Sequence, residues 1–343
     1  MAEVVIGEPF NCVEQPLADA LDEVGPYLAV VNDPPWSSLA DSVPPPVEVI
    51  VAAGMDLTGL ERLAAGATRA GTVVGIGGGT AVDTAKFLAW TWDCPLVQVP
   101  TITSVDAGFT DAVGVRVDGR VRYVGTVVPR HVVVDLDLIR AAPARLNRAG
   151  IGDILSCHTG LEDWRLAVSV DDGPAWDEAL AGLGATLLAE LADAVDEVRA
   201  VSIDGVRFLT GAYRRIGAAC AAAGHSRFEE GSEHFWAYAY EWATGAHQVH
   251  GELVACGVAA MSVVQGNRPE WVRSIIERSG VRAHPADLGI SAADFAGALS
   301  GLAAYARGEG LDTSVVDLRP VTPAVVDDAW AFACSLPRAD DDR

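Results

Sequence analysis

Short apolar segments recur through the first 135 residues, and segments with helical spacing separate them. Glycine and proline flank the apolar segments, which are too short to be core helices and rich in Val, Ile and Leu. Strands that alternate with helices in this way are typical of a parallel sheet whose two faces are both covered. The predicted strands are Tyr27–Val31, Val47–Ala52, Thr72–Ile76, Leu96–Val99 and His131–Asp135, and the predicted crossover helices include Leu57–Ala67 and Ala81–Trp90.

A hairpin interrupts this alternation. Val113–Val117 and Val121–Val124 alternate apolar and polar residues on either side of Asp118-Gly119. An Asp-Gly pair supplies the positive φ angles that a two-residue hairpin turn requires, so this segment is predicted to be antiparallel.

The second half of the chain has a different composition. Alanine, leucine and acidic residues replace the β-branched runs, and apolar residues take helical spacing. We predict an α/β domain over residues 1–142, an all-α domain over residues 143–337 with a ligand cleft between the two, and a frayed charged tail over residues 338–343. The predicted helices of the second domain include Ala175–Ala200, Val206–Ala223, Glu252–Gln265 and Ala292–Ala306.

Charge and cysteine content narrow the class of protein. The net charge of −23 argues against nucleic acid and anionic membranes as partners, although a local positive field can still hold a small anion. The six cysteines form no CxxC pair, and no apolar run is long enough to span a membrane. The first residues lack the features of a secretory signal, so a reduced cytoplasmic protein is expected.

A glycine-rich loop joins the third predicted strand to a helix. Gly77, Gly78 and Gly79 allow backbone N–H groups to approach a phosphate, and the helix that follows adds a favourable dipole. The loop matches neither the GxGxxG fingerprint nor the P-loop, and a simple strand-to-helix turn is the alternative. Asp83 and Lys86, the only lysine, share a face of that helix and could instead form a plain ion pair.

Asp33 directly follows the first predicted strand. A carboxylate there can accept hydrogen bonds from ribose hydroxyls and would repel a 2′-phosphate, which favours NAD over NADP. A role as a turn or helix-cap residue is the alternative, because Asp33 precedes the glycine loop rather than following it.

Isolated polar residues in the apolar second half suggest a metal site. Asp153, His234 and His250 provide one carboxylate and two imidazoles, a set that suits catalytic zinc or iron with an open fourth position. Their long spacing matches no local metal motif. Cys157 and His158 lie close enough to Asp153 in sequence to be ligands instead.

Five motifs taken together resemble the iron-containing alcohol dehydrogenases, which share a fold with dehydroquinate synthase, and among them the glycerol-1-phosphate dehydrogenase branch. The motifs are GGGTxxDxxK at 77–86, VPTxxSxD at 99–106, GxGD at 150–153 with DWRLA at 163–167, GxSRxxxGSEH at 224–234 and HGE at 250–252. The resemblance covers approximately residues 25–265.

The resemblance implies a dehydroquinate synthase-like fold, NAD or NADP, and one divalent metal, with zinc preferred over iron or nickel. It implies a cytoplasmic homo-oligomer that acts on a small carbonyl compound or alcohol. The implied site residues are Gly77, Gly78, Gly79 and Asp83 at the pyrophosphate, Thr101 and Ser104 near the nicotinamide, Asp106 at the substrate, and Asp153, His234 and His250 as metal ligands. His247 is a candidate proton relay, with a surface histidine as the alternative.

The sequence also departs from the pattern of that branch. Phe228, Glu229 and Glu230 stand where it typically has Pro-x-Ser, and Tyr238 lies where a histidine often follows. Acidic residues that faced the site would disfavour a phosphorylated ketone. We therefore predict a metal-dependent NAD(P)(H) oxidoreductase for a small ketone or aldehyde, with dihydroxyacetone phosphate as one candidate. A sugar-phosphate cyclase, a related polyol dehydrogenase with another substrate and a catalytically silent descendant are the alternatives.

Overall fold

The computed structural model describes residues 11–339, which form two compact units. The first unit contains residues 11–143 and Tyr213–Ala222, and the second contains residues 144–212 and 223–339. The predicted all-α domain included Tyr213–Ala222, which the structure places with the first unit. There the Tyr213 hydroxyl donates a 2.8 Å hydrogen bond to the Thr103 carbonyl.

The predicted parallel sheet is confirmed in the first unit. The strands are β1 (Cys12–Glu14), β2 (Tyr27–Val31), β3 (Glu48–Val51), β4 (Thr72–Gly77), β5 (Leu96–Pro100), β6 (Ala112–Val117), β7 (Arg120–Thr126) and β8 (His131–Val134). Six of them are parallel and follow the order β1-β8-β5-β4-β2-β3, and β6 and β7 form the predicted hairpin. The short strand β1 was not predicted, because three residues carry no usable periodicity.

Helices cover both faces of this sheet, which explains why its strands are apolar throughout. On β2, Leu28 and Val30 pack into one core, whereas Ala29 and Val31 pack into the core on the opposite face. The helices of this unit are α1 (Leu17–Asp22), α2 (Pro35–Leu39), α3 (Leu57–Gly66), α4 (Gly79–Trp92) and α5 (Leu136–Ala141).

The register of the central strands aligns three chain segments at one edge of the sheet. Val31 pairs with Ile76, and Gly77 pairs with Pro100, so β2, β4 and β5 end at the same level. In the sheet, β3 lies on one side of β2, whereas β4, β5 and β8 follow on its other side, so the strand order reverses between β2 and β4. Such a switch point is where open α/β sheets bind their ligands.

Lys86 is buried in α4, with 1% of its surface exposed. Its Nζ donates to Thr110 Oγ1 at 2.8 Å and to the Ala112 carbonyl at 3.1 Å, and it lies 3.2 Å from Asp83 Oδ1. The only lysine of the chain therefore joins α4 to the segment that leads into β6. This arrangement favours the ion-pair interpretation of Asp83 and Lys86.

The second unit is helical. Its helices are α6 (Ala144–Arg148), α7 (Ile151–Leu155), α8 (Cys157–Val168), α9 (Glu178–Arg199), α10 (Ile203–Ala223), α11 (Ser232–Thr244), α12 (His250–Gln265), α13 (Pro269–Ser279), α14 (Ala292–Glu309), α15 (Val315–Leu318) and α16 (Pro323–Ala333). Part of α10, Tyr213–Ala222, belongs to the first unit. The centre of the second unit is α12, which is apolar on every side and packs against α7, α11, α13 and α16. Among the described residues, no helix is both long and apolar enough to cross a bilayer.

The end of the described chain is anchored. Arg338 Nε donates to Asp287 Oδ1 at 2.6 Å, and the Ala339 N–H donates to Asp287 Oδ2 at 2.9 Å. The sequence predicted a frayed tail from residue 338, and this stays a prediction beside the two contacts of residues 338 and 339. Residues 340–343 of the predicted tail lie outside the described part of the chain.

Candidate active site

The structure brings Asp153, His234 and His250 together from three helices of the second unit. One ligand atom from each lies within 4.8 Å of the others. The Nε2 atoms of His250 and His234 lie 3.3 Å and 3.9 Å from Asp153 Oδ1. Two imidazoles and a carboxylate that converge in this way form a three-ligand site for a divalent metal. The His250 side chain is 32% exposed, whereas the other two are buried, so the cluster opens to solvent on the His250 side.

Glu233 orients His234. Its Oε1 accepts hydrogen bonds from His234 Nδ1 at 2.9 Å and from the Gly231 N–H at 2.6 Å, and its Oε2 accepts from Thr159 Oγ1 at 2.6 Å. Because Nδ1 donates to the carboxylate, Nε2 is the atom left to bind a metal. Burial lowers the pKa of His234, but the hydrogen bond and charge of Glu233 and the charges of Glu230 and Glu229 outweigh it and raise the pKa to about 10. A metal must therefore displace a proton from this ring.

Two glycines allow the helices that carry Asp153 and His250 to approach closely. A Cβ on Gly152 would lie 2.3 Å from the Gly251 carbonyl oxygen and 2.6 Å from its Cα. These contacts are with backbone atoms, which cannot rotate away. Since Gly152 precedes Asp153 and Gly251 follows His250, this approach sets the distance between the two ligands.

The start of α11 is fixed by Asp163, which is fully buried. Its Oδ2 accepts from the Ser232 N–H at 2.7 Å and the Ser232 hydroxyl at 2.6 Å, and its Oδ1 accepts from the Val315 N–H at 2.7 Å. Burial and the charge of Glu233 raise the pKa of Asp163 to about 6, although these hydrogen bonds oppose the shift. Asp163 thus holds the helix end from which His234 projects.

An ion pair supports α12, the helix that begins at His250. Glu252 is fully buried and accepts two hydrogen bonds from Arg145, at 2.6 Å from Nε and 2.8 Å from Nη2. This bidentate pair joins α6 to the first turn of α12 and compensates the buried carboxylate.

Cys157 and His158 do not join the cluster of ligand atoms. His158 Nε2 donates to the Asn267 carbonyl at 2.7 Å, and its ring packs against Trp271. Burial raises the pKa of the Cys157 thiol well above its usual range, which opposes formation of the thiolate that metals bind.

In the first unit, the glycine loop lies at the sheet edge that the strand register defines. The Gly78 N–H donates to Asn32 Oδ1 at 2.8 Å, and the Thr101 N–H donates to the Gly77 carbonyl at 3.0 Å. A Cβ on Gly77 would lie 2.3 Å from Asn32 Oδ1, so only glycine fits there. Helix α4 begins at this loop without a side-chain cap, which leaves its first N–H groups for an anion.

Comparison with known proteins identifies the family of this chain. The family model described as iron-containing alcohol dehydrogenase matches residues 42–143. The glycerol-1-phosphate dehydrogenase [NAD(P)+] of Sulfurisphaera tokodaii is 31% identical over 282 residues, which cover 79% of each chain. The chain belongs to the iron-containing alcohol dehydrogenase family, in its glycerol-1-phosphate dehydrogenase branch. The protein of the same name from Hyperthermus butylicus is 34% identical over 64% of this chain and 62% of its own length.

Solved structures agree on the fold of this chain. A probable glycerol dehydrogenase from Sinorhizobium meliloti has a TM-score of 0.74 at 23% identity and covers 96% of this chain and 98% of its own. An iron-containing alcohol dehydrogenase from Corynebacterium glutamicum has a TM-score of 0.68 at 18% identity, with 95% and 94% covered. The predicted fold class is confirmed, and so is the prediction of a metal-dependent NAD(P)-linked dehydrogenase at the level of the family.

The residues predicted for the cofactor lie in the first unit. Gly77, Gly78 and Gly79 form the loop, Thr101 follows β5, and Ser104 is buried three residues later. Asp83 lies one turn along α4 and pairs with Lys86. Asp33 lies beyond β2, where its Oδ1 accepts from the Ser37 N–H and hydroxyl at 3.2 Å and 2.5 Å. Asp33 thus makes the turn contacts of the alternative interpretation, and its cofactor role stays a prediction.

The two predicted catalytic residues lie outside the metal cluster. Asp106 begins the 3-10 turn Asp106–Phe109 of the first unit. His247 is exposed in the segment between α11 and α12, three residues before His250. Both roles stay predictions, and the exposure of His247 is compatible with the surface alternative.

Several residues that support the candidate site were not predicted. Glu233 and Glu252 are acidic residues within the GSEH and HGE motifs, but no role was assigned to them. Their signal was available, because a carboxylate beside a metal-binding histidine often orients it. Asp163 and Asn32 had no such signal, since their partners are 69 and 46 residues away in sequence.

Proposed function

We propose that this chain catalyses reversible hydride transfer between NAD(H) and a small hydroxylated ketone, on a zinc ion held by Asp153, His234 and His250. The convergence of these three ligand atoms is the observation that carries the proposal. The relatives are glycerol-1-phosphate dehydrogenases, which makes dihydroxyacetone and its phosphate the first compounds to test.

The donor set suits the proposed metal. Neutral imidazole nitrogen and carboxylate oxygen are ligands of zinc and of iron, and three protein ligands leave a fourth position for substrate. Zinc requires no redox change for this reaction, because the two electrons move as hydride. When bound, the metal supplies Lewis-acid stabilisation of the negative charge that develops on the carbonyl oxygen.

The residues of the chain supply position and charge. Asp153 contributes one carboxylate to the ligand cluster, and Glu233 adds a second that acts through His234. These negative charges favour the binding of a dication. Gly152 and Arg145 hold the ligand-bearing helices in place. In the first unit, the uncapped N–H groups at the start of α4, next to the glycine loop, would bind the pyrophosphate.

The proposal is tested by following nicotinamide absorbance with dihydroxyacetone and dihydroxyacetone phosphate. Chelator-treated protein should be inactive, and added Zn²⁺ should restore turnover more fully than Fe²⁺, Ni²⁺ or Mg²⁺. Metal content measured by atomic emission should rise to one ion per chain as activity returns. Turnover that persists in metal-free protein would contradict the metal assignment. Stoichiometric NADH consumption separates a dehydrogenase from a cyclase, which would regenerate its NAD.

Replacing Asp33 with asparagine should weaken the preference for NADH over NADPH. The carboxylate at the end of β2 would repel a 2′-phosphate, and asparagine retains an acceptor for Ser37 while it removes the charge. We expect the ratio of kcat/KM for NADH to that for NADPH to fall about tenfold, equivalent to roughly 1.4 kcal/mol. Asp41→Asn, an exposed acidic residue in the 3-10 turn Ala40–Ser42, is the control. An unchanged ratio in the Asp33 variant would restrict Asp33 to its turn role.

A further inference from the structure

We propose that Glu230 and Tyr238 form a selectivity element that admits uncharged hydroxylated substrates and disfavours phosphorylated ones. This inference rests on the proposed function, because it assigns a substrate class to the same metal site. It starts from a hydrogen-bonded carboxylate and phenol that lie outside the cluster of metal-ligand atoms.

Tyr238 lies beside a metal ligand. It follows His234 by four residues on α11, so the two side chains share a helix face, and their ring centroids are 6.1 Å apart. The Tyr238 hydroxyl donates a 2.9 Å hydrogen bond to Glu230 Oε1. The carboxylate is therefore fixed near the ligand cluster rather than free to rotate into solvent.

Glu230 is also held from its other side. The Ser226 hydroxyl donates to Glu230 Oε2 at 2.7 Å, and the Glu230 N–H donates to the Ser226 carbonyl at 2.8 Å. Glu230 is only partly buried, so the remaining lone pairs of its carboxylate can meet a ligand. The Ser226 and Tyr238 hydroxyls both donate their protons to Glu230, so the oxygen atoms of this group act toward a ligand as hydrogen-bond acceptors.

Two further carboxylates lie near this element. Glu233 Oε1 accepts from His234 Nδ1 at 2.9 Å, and Glu229, which precedes Glu230, is buried. Arg227 belongs to the same segment, but its Nη2 donates to the Thr313 carbonyl at 2.8 Å and its Nε lies 3.8 Å from Asp312. Its Nη2 thus bonds the segment before α15, whereas its Nε and Nη1 are buried without a hydrogen-bond partner among the described residues.

A fixed carboxylate discriminates between two otherwise similar substrates. It accepts hydrogen bonds from the hydroxyl groups of a polyol or hydroxy ketone, whereas it repels the dianion of a phosphate ester at short range. The expected substrate class is therefore a small, neutral, hydroxylated ketone or aldehyde and its alcohol. A bound dication would attract the phosphate dianion, so selectivity against the phosphate requires repulsion from the carboxylates beside the metal to exceed that attraction.

The test compares dihydroxyacetone with dihydroxyacetone phosphate in the zinc-loaded protein. We expect kcat/KM for dihydroxyacetone to exceed that for the phosphate at least tenfold. Glu230→Gln should narrow this ratio about tenfold, mainly by lowering KM for the phosphate, since one repulsive charge is removed. Tyr238→Phe, which keeps the charge, should raise KM for dihydroxyacetone without improving use of the phosphate.

Glu162→Gln is the matched control, because it removes a carboxylate on α8 that pairs with Arg165, and it should leave the ratio unchanged. A wild-type preference for the phosphate, or an unchanged ratio in Glu230→Gln, would overturn the inference while the dehydrogenase activity itself stands.

If neither compound is reduced, the proposed function fails, and binding measured by calorimetry still decides the inference. Glycerol 1-phosphate that binds the zinc-loaded wild type more tightly than glycerol would contradict it. Tighter binding of the phosphate only in Glu230→Gln would support it.

Discussion

Replacing His250 with alanine should abolish metal binding and turnover while leaving the chain folded. The variant retains only Asp153 and His234 of the three ligands, and an exchangeable divalent ion held by two side chains dissociates readily on dialysis. Lewis-acid stabilisation is worth several kcal/mol, so kcat/KM should fall about 1000-fold or more. Atomic emission after dialysis measures the metal, and nicotinamide absorbance measures turnover.

The position of His250 makes this variant informative. Its side chain is partly exposed at the first residue of α12, so its loss should leave the circular dichroism spectrum and the urea midpoint close to those of wild type. His284→Ala is the matched control, because that histidine contacts the Cys334 carbonyl and lies outside the ligand cluster. A His250 variant that keeps one metal per chain and normal turnover would refute the assignment of the ligand set.

Replacing Gly152 with alanine should separate two ligands without changing either of them. The added Cβ would overlap the Gly251 backbone, so α7 and α12 must move apart, and Asp153 moves away from His250. We expect a loss of about 3 kcal/mol in the free energy of unfolding and a fall of about 100-fold in zinc affinity. Urea denaturation measures the first quantity, and competition with a fluorescent chelator measures the second.

Gly182→Ala separates this effect from the general properties of alanine. Gly182 lies in the exposed face of α9, and an added Cβ there meets no atom within 4 Å. Alanine favours helix over glycine, so the control should gain up to about 1 kcal/mol and bind zinc normally. If Gly152→Ala bound zinc as tightly as the control, the close approach of the two helices would not set the ligand geometry.

Local patterns were sufficient to predict most of the first unit. The strands of a doubly covered parallel sheet are apolar on both faces, so β2 and β4 appear in the sequence as continuous runs. The Asp118-Gly119 pair identified the hairpin for a similarly local reason, because both residues adopt positive φ. In contrast, the position of Tyr213–Ala222 depends on tertiary contacts that no local pattern reports.

The candidate site was predicted only in part, for a related reason. Asp153, His234 and His250 were predicted because their side chains are of metal-binding types and the motifs that contain them follow the order of the family. Their spatial support depends on long-range partners, such as Arg145 for Glu252 and Asp163 for Ser232, which are 107 and 69 residues apart in sequence. The close approach of Gly152 and Gly251 likewise appears only once two helices have been packed together.

Because Lys86 is buried, the rate at which its amine is acylated reports local unfolding of the first unit. The sequence contains no other lysine, and this one is enclosed by Thr110, Ala112 and Asp83. A reagent that acylates ε-amines, or an enzyme that attaches acetyl groups or ubiquitin to them, can reach Nζ only when α4 separates from the chain around it. The rate of acylation at this single position would therefore measure how often that part of the molecule unfolds locally under native conditions.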